Sequence, residues 1–317
     1  MFVSMRFSQL ALATALITAV SAQSGYKAPR TIWGTPDLQG FYFNRTTTPL
    51  ERPQNLGAKE FYTAEEIKAL QATANRPAAE TEPGTAADAH YDMSQFGLDT
   101  ATTGIVVHPR TSLLIGPTGR IPAMTAEAAK RTAATAAAAR GHEFDGPENR
   151  SLTERCIAWS FEGPPFMPGG YNPNLQIFQG ATEVIIRHEM MGGARIVRTD
   201  GTPHLNAAVR QVYGDSIGHW EGETLVVDTT NFTDQPPLGR GATRNLHVVE
   251  RLTRASPTAI KYEFTVSDPS TWEQSWSGEY TIQTMKGPIY EYGCQEGNYG
   301  MPNILSGQRA AERAAAK

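Results

Sequence analysis

Apolar and polar residues alternate along most of the chain after residue 174, and turn residues interrupt the alternation at short intervals. Alternation with a period of two places successive side chains on opposite faces of a strand, so each run predicts a half-buried β-strand. Gly-Gly, Asp-Gly and Glu-Gly pairs between the runs indicate tight turns. The predicted strands are TEVIIRHEM, ARIVRT, AAVRQVYG, SIGHW, ETLVVDTTN, NLHVVERLTR, IKYEFTVSD, TWEQSWSGEYTIQT and PIYEYGC.

A succession of strands without intervening helices predicts a meander, and a meander of this length closes into a barrel or folds into a sandwich. We therefore expect a mainly β fold. Its central part is an antiparallel lipocalin-like (calycin-type) barrel that, with a C-terminal tail, occupies residues 175–317.

Residues 23–174 have a different pattern and predict an extension that packs on the barrel. Thr63 and Glu66 fit a capping box that begins a helix from Ala64 to about Ala74, and Thr125 caps an alanine-rich helix that ends near Arg140. Short strands are expected at 104–108 and within SLLIGPTGRIP. Residues 162–174 form a loop rich in Pro, Gly and Asn, and loops of this length are often functional.

Composition and charge limit the possible partners. The chain has 317 residues, of which 40% are hydrophobic, so it can bury a substantial core. Its formal net charge of −4 does not favour a nucleic-acid partner. We expect a small-molecule ligand or substrate instead.

The first residues predict a signal peptide. Arg6 precedes an apolar run over 10–20, and Val20, Ser21 and Ala22 supply small residues before a cut after Ala22. A membrane anchor is the alternative, but it needs roughly 20 apolar residues, and this run is shorter. We expect residues 1–22 to be removed, the protein to be secreted or periplasmic, and the mature chain to contain no membrane span.

The two cysteines, Cys156 and Cys294, are expected to form a disulfide, because an even pair in an oxidising compartment favours one. Two separate buried thiols are the alternative. No spacing between cysteine and histidine residues suggests a zinc site, so we expect neither metal nor cofactor.

One motif suggests a serine hydrolase but stands in the wrong context. Residues 214–218 spell Gly-Asp-Ser-Ile-Gly, the pattern of a nucleophile elbow, which requires a strand, a sharp turn and then a helix. Here Ser216 is followed by a Glu-Gly turn and a strand rich in β-branched residues. We therefore expect a hairpin, in which Ser216 is not a nucleophile.

The motif set resembles a large family of secreted bacterial proteins found in acidobacteria and sphingomonads. The resemblance covers nearly the whole mature chain and rests on WGTPDLQG, GRIPAMT, SLTERC, GDSIGHWEGETLVVDTTNF, LHVVERLTR and YEYGCQEGNYGMPNILSG. It implies family membership and brings no activity with it. Many members have HEMIHDAR where this chain has HEMMGGAR, so Gly192 and Gly193 replace an imidazole and a carboxylate.

Three polar residues lie on faces of the predicted strands that are otherwise apolar. His188 shares a face with Val184 and Ile186, and Glu250 shares one with apolar neighbours, where a carboxylate is costly unless it is paired or protonated. The short turn after Met191 makes the strands of His188 and Arg195 neighbours. Arg195 and Arg210 are the candidate cations for Glu250, and Arg195 is the nearer of the two. We predict that His188, Arg195 and Glu250 face one cavity. Structural roles, as a core histidine and a buried ion pair, are the alternative.

Positions near turns or in aromatic stripes predict further residues that bind the substrate. They are His204, Arg210, Tyr213, Trp220, Trp272, Trp276, Tyr290 and Tyr292. Aromatic stripes of this kind also occur in ordinary cores, and a pocket lined by them suits a terpenoid, an aromatic molecule or a sugar.

The sequence leaves two functions open. The first is a cofactor-free acid/base enzyme (a lyase, isomerase or hydrolase), in which His188 and Glu250 exchange a proton with the substrate and Arg195 binds a developing anion. The second is a binding protein with the same pocket and no chemistry.

Overall fold

The computed structural model describes residues 25–74, 107–169 and 172–316. The predicted signal peptide and the first part of the predicted strand at 104–108 lie outside these ranges. The strands are β1 (Gly40–Phe43), β2 (Asn174–Gln179), β3 (Glu183–His188), β4 (Ala194–Arg198), β5 (Asp215–Glu221), β6 (Thr224–Thr230), β7 (His247–Ser256), β8 (Ala259–Ser267) and β9 (Trp276–Thr284). The helices are α1 (Ala64–Ala74), α2 (Ala126–Ala139) and α3 (Gly300–Ala315), with short 3-10 turns at Gln54–Leu56, Pro147–Asn149 and Met190–Gly192.

The nine strands form one closed barrel in sequence order, and β1 closes it by pairing with both β2 and β9. The prediction of a mainly β fold with a barrel is confirmed. The barrel also recruits β1 from the N-terminal extension, so its strands do not all lie within 175–317. The sequence GFYF gives no period-two signal, and only pairing with distant strands makes it a strand.

The expectation of antiparallel pairing throughout was wrong at one point. AAVRQVYG forms no strand, and β4 therefore runs parallel to β5, with Val197 opposite Ser216. Arg198 holds the intervening loop in place, because its guanidinium bonds the Thr202 hydroxyl at 2.8 Å, the Pro203 carbonyl at 3.1 Å and the Asp215 carboxylate at 3.0 Å. A loop that crosses over in this way cannot act as a hairpin.

Two other predicted strands are absent from the described residues. SLLIGPTGRIP makes only an isolated bridge, between Leu114 and Gly278, where the Ile115 amide donates to the Ser277 carbonyl and the Glu279 amide donates to the Leu113 carbonyl, each at 2.9 Å. PIYEYGC follows the end of β9 and is irregular. Its cysteine is drawn towards the extension by the disulfide between Cys156 and Cys294, whose Sγ atoms are 2.00 Å apart, and the disulfide prediction is confirmed.

The two helices of the extension begin with side-chain caps. The Thr63 hydroxyl accepts from the Glu66 amide at 3.3 Å, and Glu66 accepts from the Thr63 amide at 2.8 Å. The Thr125 hydroxyl accepts from the Ala128 amide at 3.1 Å. Over the described ranges, no helix combines the length and the apolar character needed to cross a membrane.

The core lies inside the barrel and is formed by inward-facing residues of eight of the nine strands, while β5 contributes the partly buried Trp220. Val184 and Ile186 on β3, Val197 on β4, and Tyr262 on β8 are buried there. Phe166, which belongs to the loop before β2, is also completely buried in this core. One end of the barrel is therefore filled by a loop residue.

Candidate active site

Strands β3 and β4 point His188 and Arg195 into the barrel. In the register of this pair, Arg195 lies opposite Ile186, while His188 lies opposite Leu175 of β2. Since Ile186 and His188 are two residues apart, they share the inner face with Arg195. Both polar side chains are buried, and the predicted common face is observed.

Glu250 reaches the same place from β7 and is completely buried. Its carboxylate accepts two hydrogen bonds from the Arg195 guanidinium, one of them between Nη2 and Oε1 at 2.9 Å, and a third from the Tyr262 hydroxyl at 2.7 Å. A bidentate pair of this kind provides the attraction and the hydrogen bonds that offset the cost of burying two charges. These three hydrogen bonds hold the Glu250 carboxylate, which in turn fixes the orientation of the Arg195 guanidinium.

Phe166 covers this network from the loop side. Its ring stacks on that of Tyr262 with centroids 4.0 Å apart and meets the His188 ring edge-on at 5.8 Å. The Phe166 amide donates to the Tyr262 hydroxyl at 3.1 Å, and its carbonyl accepts from the Tyr280 hydroxyl at 2.7 Å. Side-chain and main-chain contacts together fix the loop over the barrel interior.

Glu162, from the same loop, forms a second buried polar contact. Its Oε2 accepts from the Tyr213 hydroxyl at 2.6 Å and from the Trp159 amide at 3.1 Å. Burial raises the pKa of Glu162 from 4.5 to about 7, although both hydrogen bonds act in the opposite direction. The Tyr213 hydroxyl lies 2.9 Å from the position that a Cβ on Gly193 would occupy, which places this pair at the β3–β4 turn. Because Gly193 has no side chain, the Tyr213 hydroxyl can occupy this space.

Nine buried side-chain polar atoms have no hydrogen-bond partner among the described residues, and they include His188 Nε2, Arg195 Nε and Glu162 Oε1. Burial, together with the Arg195 charge, lowers the pKa of His188 to about 3, so the imidazole is neutral at physiological pH. Buried polar atoms in folded proteins nearly always have a partner, and a cluster without partners marks a place where one can bind.

An open cleft of about 620 Å³ lies on the outer side of the same loop. Its wall includes Ser160, Phe161, Met167 and Arg240. Because Phe166 contacts His188 while its neighbour Met167 faces the cleft, the loop lies between the cleft and the buried cluster.

His204 belongs to a different, partly exposed cluster. Its Nδ1 lies 2.8 Å from an Asp215 oxygen and its Nε2 lies 3.0 Å from an Asp228 oxygen, while His247 contacts the other Asp228 oxygen at 3.0 Å. The hydrogen bond that His247 donates to the Asp228 carboxylate raises the pKa of His247 and lowers the pKa of Asp228. These contacts tie the loop before β5 to β6 and β7.

The remaining predicted binding residues are dispersed. Arg210 donates to two main-chain carbonyls, at 3.1 and 2.9 Å, which fixes a loop. Trp272 and Trp276 are buried and meet edge to face at 5.6 Å, and Trp220 is partly buried against the same core. Tyr290 and Tyr292 follow β9 in the irregular segment, and half of Tyr290 is exposed. Of the eight residues predicted to bind substrate, Tyr213 alone is joined by a described contact to the region around His188.

The sequence did not single out Glu162, Phe166 or Tyr262. The only signal for the first two was the length of the loop from 162 to 174, since its composition does not reveal which residue enters the barrel. Tyr262 appears in the sequence as one more apolar position of a strand.

Ser216 lies within β5, where its hydroxyl is 2.9 Å from that of Thr229, and no helix follows it. Among the described residues, no three or more His, Cys, Asp or Glu side chains are grouped so that they could hold a metal ion. The fold and the site thus define a closed β-barrel with a buried polar cluster beneath a loop and a cleft above it. A scan against protein-family models and a search of curated proteins both found no match for the chain.

Proposed function

We propose that the protein is a cofactor-free acid/base enzyme, a lyase, isomerase or hydrolase, that acts on a small and partly apolar molecule at this end of the barrel. The observation that carries the proposal is a set of buried polar atoms without partners in the described structure: His188 Nε2 and Arg195 Nε on the inner face of the barrel, and Glu162 Oε1, whose carboxyl group is held by Tyr213 beside the β3–β4 turn. They belong to a neutral imidazole, a guanidinium and a carboxyl group, which together can exchange a proton and bind an anion.

Glu162 is the acid/base group in this proposal. A carboxyl group with a pKa of about 7 is close to even protonation at physiological pH, and such a group can both give and take a proton. Tyr213 holds one of its oxygens at 2.6 Å, which leaves the other free to reach a substrate. Tyr213 is therefore a positioning residue.

Arg195 and His188 bind the reacting part of the molecule. The Nε–H of Arg195 has no partner in the described structure and can donate to an oxygen that becomes negative during the reaction. Glu250 keeps the guanidinium in place through its two contacts and leaves that donor free. The proton-exchange role first expected of Glu250 passes in this proposal to Glu162.

The substrate enters from the cleft, so Phe166 must move before it reaches the cluster. The bonds from the Phe166 main chain to Tyr262 and Tyr280 hold the loop backbone, whereas the buried ring makes stacking, edge and cation–π contacts and no hydrogen bond. A rotation of that side chain would open a path without unfolding the loop.

The barrel type and the location belong to the same proposal. We infer a lipocalin-like barrel because a closed sheet with a ligand site at one end is the arrangement that such proteins use. The parallel β4–β5 pair is a departure from the simple up-and-down order. Secretion is supported by the Cys156–Cys294 disulfide, since disulfides persist in oxidising compartments.

A binding protein without catalysis is the second candidate. The described lining of the cleft contains hydroxyl, apolar and guanidinium groups but neither a carboxylate nor an imidazole. A molecule that stays in this cleft would be bound without meeting an acid/base group.

Substrate trapping separates the two. Native protein and Glu162→Gln are purified from the same host, their bound small molecules are extracted and identified by mass spectrometry, and Glu127→Gln, a change on exposed helix α2, is the matched control. An enzyme would leave Glu162→Gln holding a compound that native protein and the control convert on incubation. The same unchanged compound in all three proteins would support binding and contradict catalysis.

A further inference from the structure

The turn at residues 239–241 has an unusual backbone. Gly239, Arg240 and Gly241 have φ angles of +62°, +53° and +76°, so three successive residues are left-handed. Glycine adopts this region freely, whereas a residue with a side chain does so only at a cost. Arg240 is therefore held in a conformation that a glycine would satisfy better, which suggests that its side chain has a use there.

Arg240 also has no counter-ion among the described residues, and its side chain is exposed. Arg244, four residues further on, shows the contrast. It is exposed as well, yet its Nη2 lies 2.6 Å from an Asp234 oxygen. The turn thus presents one neutralised arginine and one whose charge is available.

The available charge lies in the wall of the 620 Å³ cleft. Among the described residues that line it, Arg240 is the only charged one. Phe161, Met167 and Leu238 give the wall an apolar area, and Thr47 and Ser160 add hydroxyl groups. A volume in this range suits a small organic molecule, and most of its contacts would be apolar.

We propose that this cleft binds a small amphipathic carboxylic acid, with the carboxylate on Arg240 and the apolar body against Phe161, Met167 and Leu238. The planar guanidinium matches the two oxygens of a carboxylate, and its single positive charge balances a single negative one. A phosphate dianion would leave one negative charge without compensation in the same wall. The inference rests on the proposed function and names its substrate class: the acid bound in the cleft is the substrate before it passes Phe166 to the buried cluster.

Binding of 1-naphthylacetate and of the uncharged 1-naphthylacetamide, each measured by isothermal titration calorimetry, tests the proposal. The two probes have the same ring and nearly the same shape, so their difference reports the carboxylate. Native protein should bind the acid roughly tenfold more tightly than the amide, which corresponds to one hydrogen-bonded charge pair near the surface.

Arg240→Gln and Arg240→Gly should both lose this preference while their affinity for the amide stays within about twofold. The glycine variant suits the left-handed backbone, so an undiminished melting temperature shows that the fold is retained. Arg313→Gln, which removes an exposed arginine of α3 outside the cleft lining, should behave as native protein does.

Equal affinity of native protein for the two probes, an absence of acid binding, or a preference that survives both Arg240 changes would overturn the proposal. The calorimetric test requires no turnover and is therefore separate from the proposed chemistry. Loss of turnover in Glu162→Gln alone would therefore leave the ligand class standing, while loss of acid binding in the Arg240 variants tests only the ligand class.

Discussion

The buried carboxyl of Glu162 should make the stability of the protein fall as the pH rises from about 4.5 to about 7. Its pKa in the folded state is raised from 4.5 to about 7 by burial. Within this interval the folded protein keeps a proton that the unfolded chain has lost. The folded state then binds more protons, and the free energy of unfolding decreases with pH until the folded carboxyl has also ionised.

The size of this loss in the free energy of unfolding follows from the difference between the folded and unfolded pKa values of Glu162. From 4.5 to about 7, at about 1.4 kcal/mol per pKa unit, the loss of stability amounts to about 3 kcal/mol. Glu162 is only 2% exposed, so solvent does little to screen this cost. A glutamine in its place is neutral at every pH and can still accept the hydrogen bond of Tyr213.

We therefore expect Glu162→Gln to match native protein near pH 4.5 and to exceed it by about 3 kcal/mol at pH 8. Urea unfolding at several pH values measures both free energies, and the difference between the two proteins cancels all other titrating groups. Glu127→Gln, at an exposed position of α2, should follow the native curve. Superimposable pH profiles for native protein and Glu162→Gln would refute the burial of an ionisable group here.

Three more predictions concern the framework. Arg195→Met should destabilise the fold by roughly 3–5 kcal/mol because it leaves Glu250 buried without a cation. The double change Arg195→Met/Glu250→Leu should recover most of that loss in urea unfolding. If the single and the double variant lose the same stability, the broken ion pair is not the cause. Replacing both cysteines of the disulfide by alanine should cost roughly 4–5 kcal/mol, since the bond closes a loop of 138 residues, and an unchanged urea midpoint would oppose this. The pKa of His247 is raised by Asp228, so its contribution is present below the ordinary value of 6.5 and disappears as the pH rises through the raised value. Thermal melts of His247→Gln should thus show a deficit at pH 5.5 that has vanished by pH 8.5, and a deficit independent of pH would count against the pair.

Local pattern was enough to predict most of the barrel. The alternation in residues 247–284 corresponds to three consecutive antiparallel strands, and the inward faces of His188 and Glu250 follow from the same period. The partner of Glu250 could also be inferred. A carboxylate on an apolar face requires a cation, and the same alternation places Arg195 on an inward face of its own strand.

Other features depend on contacts between distant parts of the chain, so they leave little trace in local pattern. Strand β1 forms because β2 and β9 offer unpaired edges, and β4 meets β5 in parallel because a loop fixed by Arg198 separates them. The raised pKa of Glu162 depends on how deeply its loop is buried. Neither the composition of that loop nor its turn residues specify such a depth.

The buried Arg195–Glu250 pair is better explained by what it positions than by the stability that it provides. Apolar residues of similar volume often replace a buried ion pair without loss of stability. In this barrel, however, the pair continues through the Tyr262 hydroxyl to the amide of Phe166, which belongs to the loop between the cleft and the cluster. An apolar replacement would keep the barrel filled but would remove both the fixed Nε–H donor and the bond that anchors the loop. The network therefore couples the orientation of Arg195 to the position of the loop, which is what the proposed site would require if the loop opens to a ligand while the polar groups stay in place.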